Sequence, residues 1–133
     1  MRDYVRAETG RLLERFVAEL KRAARNPDAD AIHDLRVSIR RLSRCLRVFA
    51  AFYPDRSWKK IRAKLHGLLE RAGAVRDRDI ALELIAAAGV SPRAAIHRQL
   101  STERQAAERE MAEEIARWSR RDPSAAWRRK LEI

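Results

Sequence analysis

Residues 29–53 read ADAIHDLRVSIRRLSRCLRVFAAFY, and their spacing predicts one long helix with two opposed faces. Leu35, Ile39, Leu42, Leu46 and Phe49 recur at alternating steps of four and three, which lines them up as an apolar seam that needs a partner. On the other side His33, Arg36, Arg40, Arg44 and Arg47 follow the same steps and form a single file of imidazole and guanidinium groups. Like charges at these spacings cost about 0.2–0.5 kcal/mol per pair in an isolated helix. Asp34 is the one carboxylate between Ala31 and Tyr53 that offsets them. A cost retained without local compensation points to a use for the file.

Composition bounds that use. The chain has 133 residues, 46% of them hydrophobic, enough for one compact domain with a core of its own, here expected to span residues 1–133. Its net charge of +11 selects a polyanion as partner: nucleic acid, an anionic membrane surface or polyphosphate. Cys45, the single cysteine, excludes an internal disulfide and fits a reducing compartment. The first residues, MRDYVRAETG, are charged and lack the apolar stretch of a signal peptide, and no apolar run approaches the roughly 18 residues of a membrane span. A cytoplasmic protein without a membrane partner is the expectation.

Outward from the central stretch, the chain reads as helices joined by short breaks. Residues from about Arg2 to Arg25 carry Val5, Leu12, Leu13, Phe16, Val17 and Leu20 at helical spacing. Asn26-Pro27-Asp28-Ala29-Asp30 ends that helix, and Asp28 or Asp30 is placed to cap the next one, which is expected to run to Tyr53. After Pro54, the residues Trp58, Ile61, Leu65, Leu68 and Ala72 trace a third seam, and Lys60, Lys64 and Arg71 occupy the other side of that helix. Gly73 reads as its stop. A shorter helix is expected in residues 76–89, with Asp77 or Asp79 near its N-terminus. Ser91-Pro92 then reads as the opening of a long helix to about Arg121, with Ile96, Leu100, Ala107, Met111, Ile115 and Trp118 on its buried stripe. The tail, residues 122–133, is free to dock through Trp127 and Leu131 or to fray. The expected fold is all-α, an antiparallel bundle of about four long helices plus a short one.

Two segments carry a resemblance. HDLRVSIRRL, residues 33–42, fits the pattern H-x-x-R-x-x-x-R-R-L at His33, Arg36, Arg40, Arg41 and Leu42. About thirty residues on, GAVRDRD fits G-x-x-R-D-x-D at Gly73, Arg76, Asp77 and Asp79. The pairing resembles the CHAD family, the conserved histidine α-helical domain. The resemblance implies a polyphosphate-binding helical module whose basic residues, from several helices, line a positively charged cavity. It assigns polyphosphate contact to His33, Arg36, Arg40, Arg41, Arg44, Arg47, Lys60, Lys64, Arg71 and Arg76. Two departures stand out. The family usually continues R-R-L with another arginine, where this chain has Ser43, and the family domain usually holds two bundles, where this chain has length for one. The other half could come from a second copy of the chain, from a separate partner or from nothing; a symmetric homodimer that rebuilds an enclosed cavity is the expectation.

Each assignment has a plainer alternative. The arginine file could be a solvated face balanced by Glu103, Glu110 and Glu114 of the last long helix, and His33 a residue hydrogen-bonded at a helix start. Asp77 and Asp79 could be caps, or could hold Arg40 or Arg76 in place from behind. Arginine forks suit phosphate, while Lys60 and Lys64 act as point charges. Two carboxylates without a third oxygen ligand nearby in sequence make a poor magnesium cage, so no metal and no cofactor is expected. Nucleic acid is the second partner considered. Aromatic residues are 6% of the chain, and those that can be placed lie mainly on buried seams, without a stacking platform for bases. No Gly-rich phosphate loop and no activated nucleophile pair is present in the sequence, so the protein is expected to bind without catalysing a reaction.

Overall fold

The computed structural model describes residues 1–133 and contains five α-helices, no strands and one short 3-10 turn. They are α1 (Arg2–Arg25), α2 (Ala29–Val48), α3 (Ser57–Ala87), α4 (Ala95–Arg121) and α5 (Ser124–Leu131), with the 3-10 turn at Ala50–Phe52. The four long helices form a ring in which α1 packs on α2 and α4, and α3 packs on α2 and α4. The seams expected from spacing become the core: Leu13, Phe16 and Leu20 of α1, Leu35, Ile39, Leu42 and Leu46 of α2, and Ile61, Leu65 and Leu68 of α3 are all buried. No helix is long and apolar enough to cross a membrane.

Local chemistry explains the start of α2. The Asp28 carboxylate accepts from the Ala31 N–H at 2.8 Å, and Asp30 follows in the first turn, where the helix dipole favours an anion. Its end differs from expectation. The helix stops at Val48 instead of reaching Tyr53, because Tyr53 turns inward and is buried, its hydroxyl 2.7 Å from Thr9 Oγ1. The tighter 3-10 turn takes up the change of path. Burial pushes the Tyr53 phenol above its ordinary range.

The larger correction concerns α3. Gly73 does not stop it, and the helix runs unbroken from Ser57 to Ala87. A glycine ends a helix where the chain must turn left-handed, and here that residue is Gly89, with φ +80°. Ala72 and Val75, on either side of Gly73, continue the buried seam without interruption. Asp77 and Asp79 thus lie in a helix interior and cannot be caps. The short helix of the fold is α5 instead. Similarly, α4 opens at Ala95 rather than at Ser91, since Ser91 closes a turn in which its Oγ accepts from the Arg93 N–H at 3.1 Å.

The tail docks. Trp127 and Leu131 are buried, and Trp127 stacks on Phe16 with ring centroids 5.9 Å apart while Trp118 meets both edge-on. Asp122, at φ +36°, makes the corner before α5. Its carboxylate accepts from the Ser124 N–H and pairs with Lys21, contacts that hold it below the ordinary carboxylate range.

The last buried residue of α3 is Val75, and α4 buries nothing before Met111. The twelve residues from Arg76 to Ala87 therefore extend about 18 Å past the core at 1.5 Å per residue. The α3–α4 hairpin overshoots the α1–α2 hairpin, and a step is left where α2 begins.

Candidate functional site

The sequence assigns nine cations and one imidazole to a common surface, and the structure divides them among three settings. The first is the open side of α2. Arg40, Arg41, Arg44 and Arg47 are exposed, Arg36 is half-buried, and none of the five makes an ion pair. The glutamates that could have neutralised them are engaged elsewhere: Glu103 with Arg78, Glu110 with Arg71, and Glu114 with Arg117 and the Trp118 indole N–H. Asp34, the only acidic residue within the file's span, faces α1, where it pairs with Arg22 at 2.6 Å. The hydrogen bond from Arg22 holds the Asp34 carboxyl below its ordinary range and raises the guanidinium above its own. Ser43, where the family pattern has arginine, accepts from Arg62 Nε of α3 at 3.1 Å and so ties this side of α2 to its neighbour.

The second setting is the step at the start of α2, a cleft of about 590 Å³. It brings the two sequence motifs together: His33 and Arg36 from α2, Arg76 and Asp79 from α3. From α4 it adds Arg104, which the sequence reading missed. A lone arginine on the polar side of a long helix carries no signal until α3 is known to continue past Gly73 and bring Asp79 alongside. Arg104 donates to Asp79 through Nε and to Glu108 through Nη1 at 2.9 Å, and its guanidinium is raised above the ordinary range mainly by the Asp79 bond. Arg36 Nε is buried in this region with no hydrogen-bond partner. A buried donor left unpaired costs about 1–3 kcal/mol.

Three arginines in the cleft meet four carboxylates, those of Asp28, Asp30, Asp79 and Glu108. The enclosed, strongly positive hollow that the resemblance implied is therefore not what the cleft alone forms. The excess positive charge lies on the adjoining open side of α2. Asp79 engages Arg104, neither Arg40 nor Arg76. Arg76 pairs loosely with Glu83 at 3.6 Å, and Asp77 is exposed without an ion pair. His33 is exposed at the cleft mouth and makes no hydrogen bond that would explain it as part of a helix start.

The third setting is the far side of α3. At 100° per residue, Lys60 and Lys64 project away from Arg62, which faces α2. They line a separate pocket with Arg56 and Lys130. Arg71, further along that side, pairs with Glu110 of α4 at 3.2 Å. The two lysines and Arg71 thus do not converge with the α2 file. No group of three or more His, Cys, Asp or Glu side chains is arranged to hold a metal ion.

Compared with known protein families, residues 9–132 match the CHAD domain. Neither the curated proteins nor the solved structures contain a match to the chain. With a match over nearly its whole length, both motifs in order and an all-α bundle around them, the chain belongs to the CHAD domain family.

Proposed function

We propose that this protein binds inorganic polyphosphate along the open side of α2, with Arg36, His33 and Arg76 engaging the chain where it enters the step between α2 and the α3–α4 hairpin. One observation carries the reading: five arginines on a single helix have no carboxylate partner in a protein whose other helices pair their charges repeatedly. A straight file suits a linear polyanion. Guanidinium forks match phosphoryl oxygens in pairs, and displacement of the counterions condensed on the polymer drives association. Arg36 adds a donor whose hydrogen bond is still to be made.

Isothermal titration with long-chain polyphosphate tests this. The exposed pair Arg40→Glu/Arg44→Glu should weaken binding at least tenfold, and Arg36→Gln should weaken it several-fold, with thermal melts unchanged. Wild-type affinity should fall log-linearly with salt. Unchanged affinity in the double variant removes the proposed surface. The reading includes binding without turnover, so no phosphate should be released with or without magnesium. It also includes a second copy completing the binding surface, supported by the exposed Ile80, Leu84 and Ile96 on the overshooting hairpin. A monomeric mass by light scattering at micromolar concentration, with and without polyphosphate, counts against that part.

A second reading, single-stranded nucleic acid, draws on one feature of the fold. Tyr4 is 59% exposed and Phe52 38%, and Phe49 meets both rings edge-on beside a shallow groove lined by Arg41 and Arg44. Aromatic faces beside arginines are what base stacking requires. Competition between polyphosphate and mixed-sequence RNA at equal phosphate concentration separates the two, and the polyphosphate reading requires polyphosphate to win.

A further inference from the structure

The pocket on the far side of α3 is strongly positive. Its volume is about 640 Å³, and it is lined by Arg56, Lys60, Lys64 and Lys130 against a single carboxylate, Asp55. None of the four cations makes an ion pair. Arg56, Lys60 and Lys64 stand at four-residue steps along the start of α3, and the fold brings Lys130 beside them from the end of α5.

The fold holds these parts in register. Ser57 Oγ donates to the Lys130 carbonyl at 3.0 Å and lies 3.2 Å from the Pro54 carbonyl, joining the end of α5 to the start of α3. Buried Trp127 and Leu131 fix α5 from beneath, and with it Lys130. Four like charges held together against one carboxylate repel one another, and an anion relieves that repulsion.

We infer that this pocket is a second anion site, for a compact anion carrying several phosphoryl groups, separate from the α2 surface. Three of its four cations are lysines, point charges on flexible stems that suit the dispersed oxygens of clustered phosphates better than the planar fork a single carboxylate prefers. Ile61 is the one apolar residue in the lining, which leaves no surface for a ring or an acyl chain. The inference does not rest on the polyphosphate reading of α2, since the two surfaces share no residue.

The probe is inorganic tripolyphosphate, followed by backbone amide shifts in the full-length protein, with sodium sulfate at matched ionic strength as the control. Tripolyphosphate should move the amides of residues 56–64 and 128–131. The movement should persist in Arg36→Gln/Arg40→Gln and weaken at least tenfold in affinity in Lys60→Gln/Lys64→Gln. Those two lysines are exposed, so the substitution leaves the core intact, and Lys130→Gln, on a different helix, should weaken binding several-fold by itself. ATP, which carries the same triphosphate, should bind within about threefold of the probe. The inference is overturned if the amides do not move, if their movement disappears in the α2 variant, if sulfate reproduces it, or if ATP binds more than tenfold tighter.

Discussion

On the α2 side of α3, three arginines sit among four carboxylates in one cleft, while on the α5 side four cations face one. The two pockets are similar in volume and opposite in electrostatic design. In the cleft, charge is largely committed inside the protein: Arg104 is bound by Asp79 and Glu108 and joins α3 to α4. In the lysine pocket, charge is uncommitted. The exposed arginines of α2, which have no ion pair, belong with the second kind. Motif membership and availability to a ligand are therefore separate properties here.

Neutralising one carboxylate in each pocket is the sharpest way to break that contrast. Asp79→Asn removes a negative charge from the cleft and frees Arg104 from one of its two carboxylates, so long-chain polyphosphate should bind about three- to tenfold tighter. The change corresponds to roughly a unit charge interaction at a partly shielded site. Asp55→Asn should raise tripolyphosphate affinity only about twofold, because Asp55 is exposed on the rim and screened by salt. Asparagine tolerates the positive φ of 52° at that position. Titration calorimetry at fixed ionic strength reads both. A loss of affinity in Asp79→Asn would mean that Arg104 must stay clamped for the cleft to work.

A second pair of substitutions tests whether α3 really is one rod joining the two pockets. Gly73 lies within a continuous helix, and a Cβ there meets nothing within 4 Å, so Gly73→Ala should stabilise the protein by about 0.5–1 kcal/mol. Gly89 has φ +80°, so Gly89→Ala should cost about 1 kcal/mol in spite of equally open space. Urea midpoints give both signs. Destabilisation by Gly73→Ala would place a break where the helix is described as continuous.

The parts of the fold legible in the sequence were those set by local periodicity. The seams of α1 and α2 and the Asp28 cap needed only spacing and one side-chain acceptor. Gly73 misleads because a glycine's effect depends on whether the next turn still has a seam to bury, and Val75 answers that only once α4 packs alongside with Met111. From that single misreading came the cap assignment for Asp77 and Asp79. The α2 file was legible, since helical spacing alone puts those arginines on one side. That Lys60 and Lys64 belong to a different surface was not, because it depends on which side of α3 meets α2, a matter of tertiary packing marked by Arg62 and Ser43. Arg104 and Lys130 stayed hidden for the same reason, each meaningful only through residues far away in sequence.

Asp34 tests the comparison with the smallest expected effect. It lies within the arginine file's span of sequence, yet its carboxylate bonds to Arg22 on α1. Asp34→Asn should therefore leave polyphosphate affinity within about twofold of wild type, in contrast to Asp79→Asn, although both remove one negative charge near the same helix. Its effect on stability should instead depend on pH. The Arg22 hydrogen bond lowers the Asp34 pKa in the folded state. A depressed carboxylate stabilises the fold above its unfolded pKa of about 4, and that contribution disappears as pH falls through the folded value. Wild type should thus melt slightly above Asp34→Asn at pH 7, and the two curves should converge in acid. A difference that persists at low pH would show that the side chain matters to packing more than to charge. A large gain in polyphosphate affinity would show that the α2 file is not the uncommitted surface that sets it apart from the cleft.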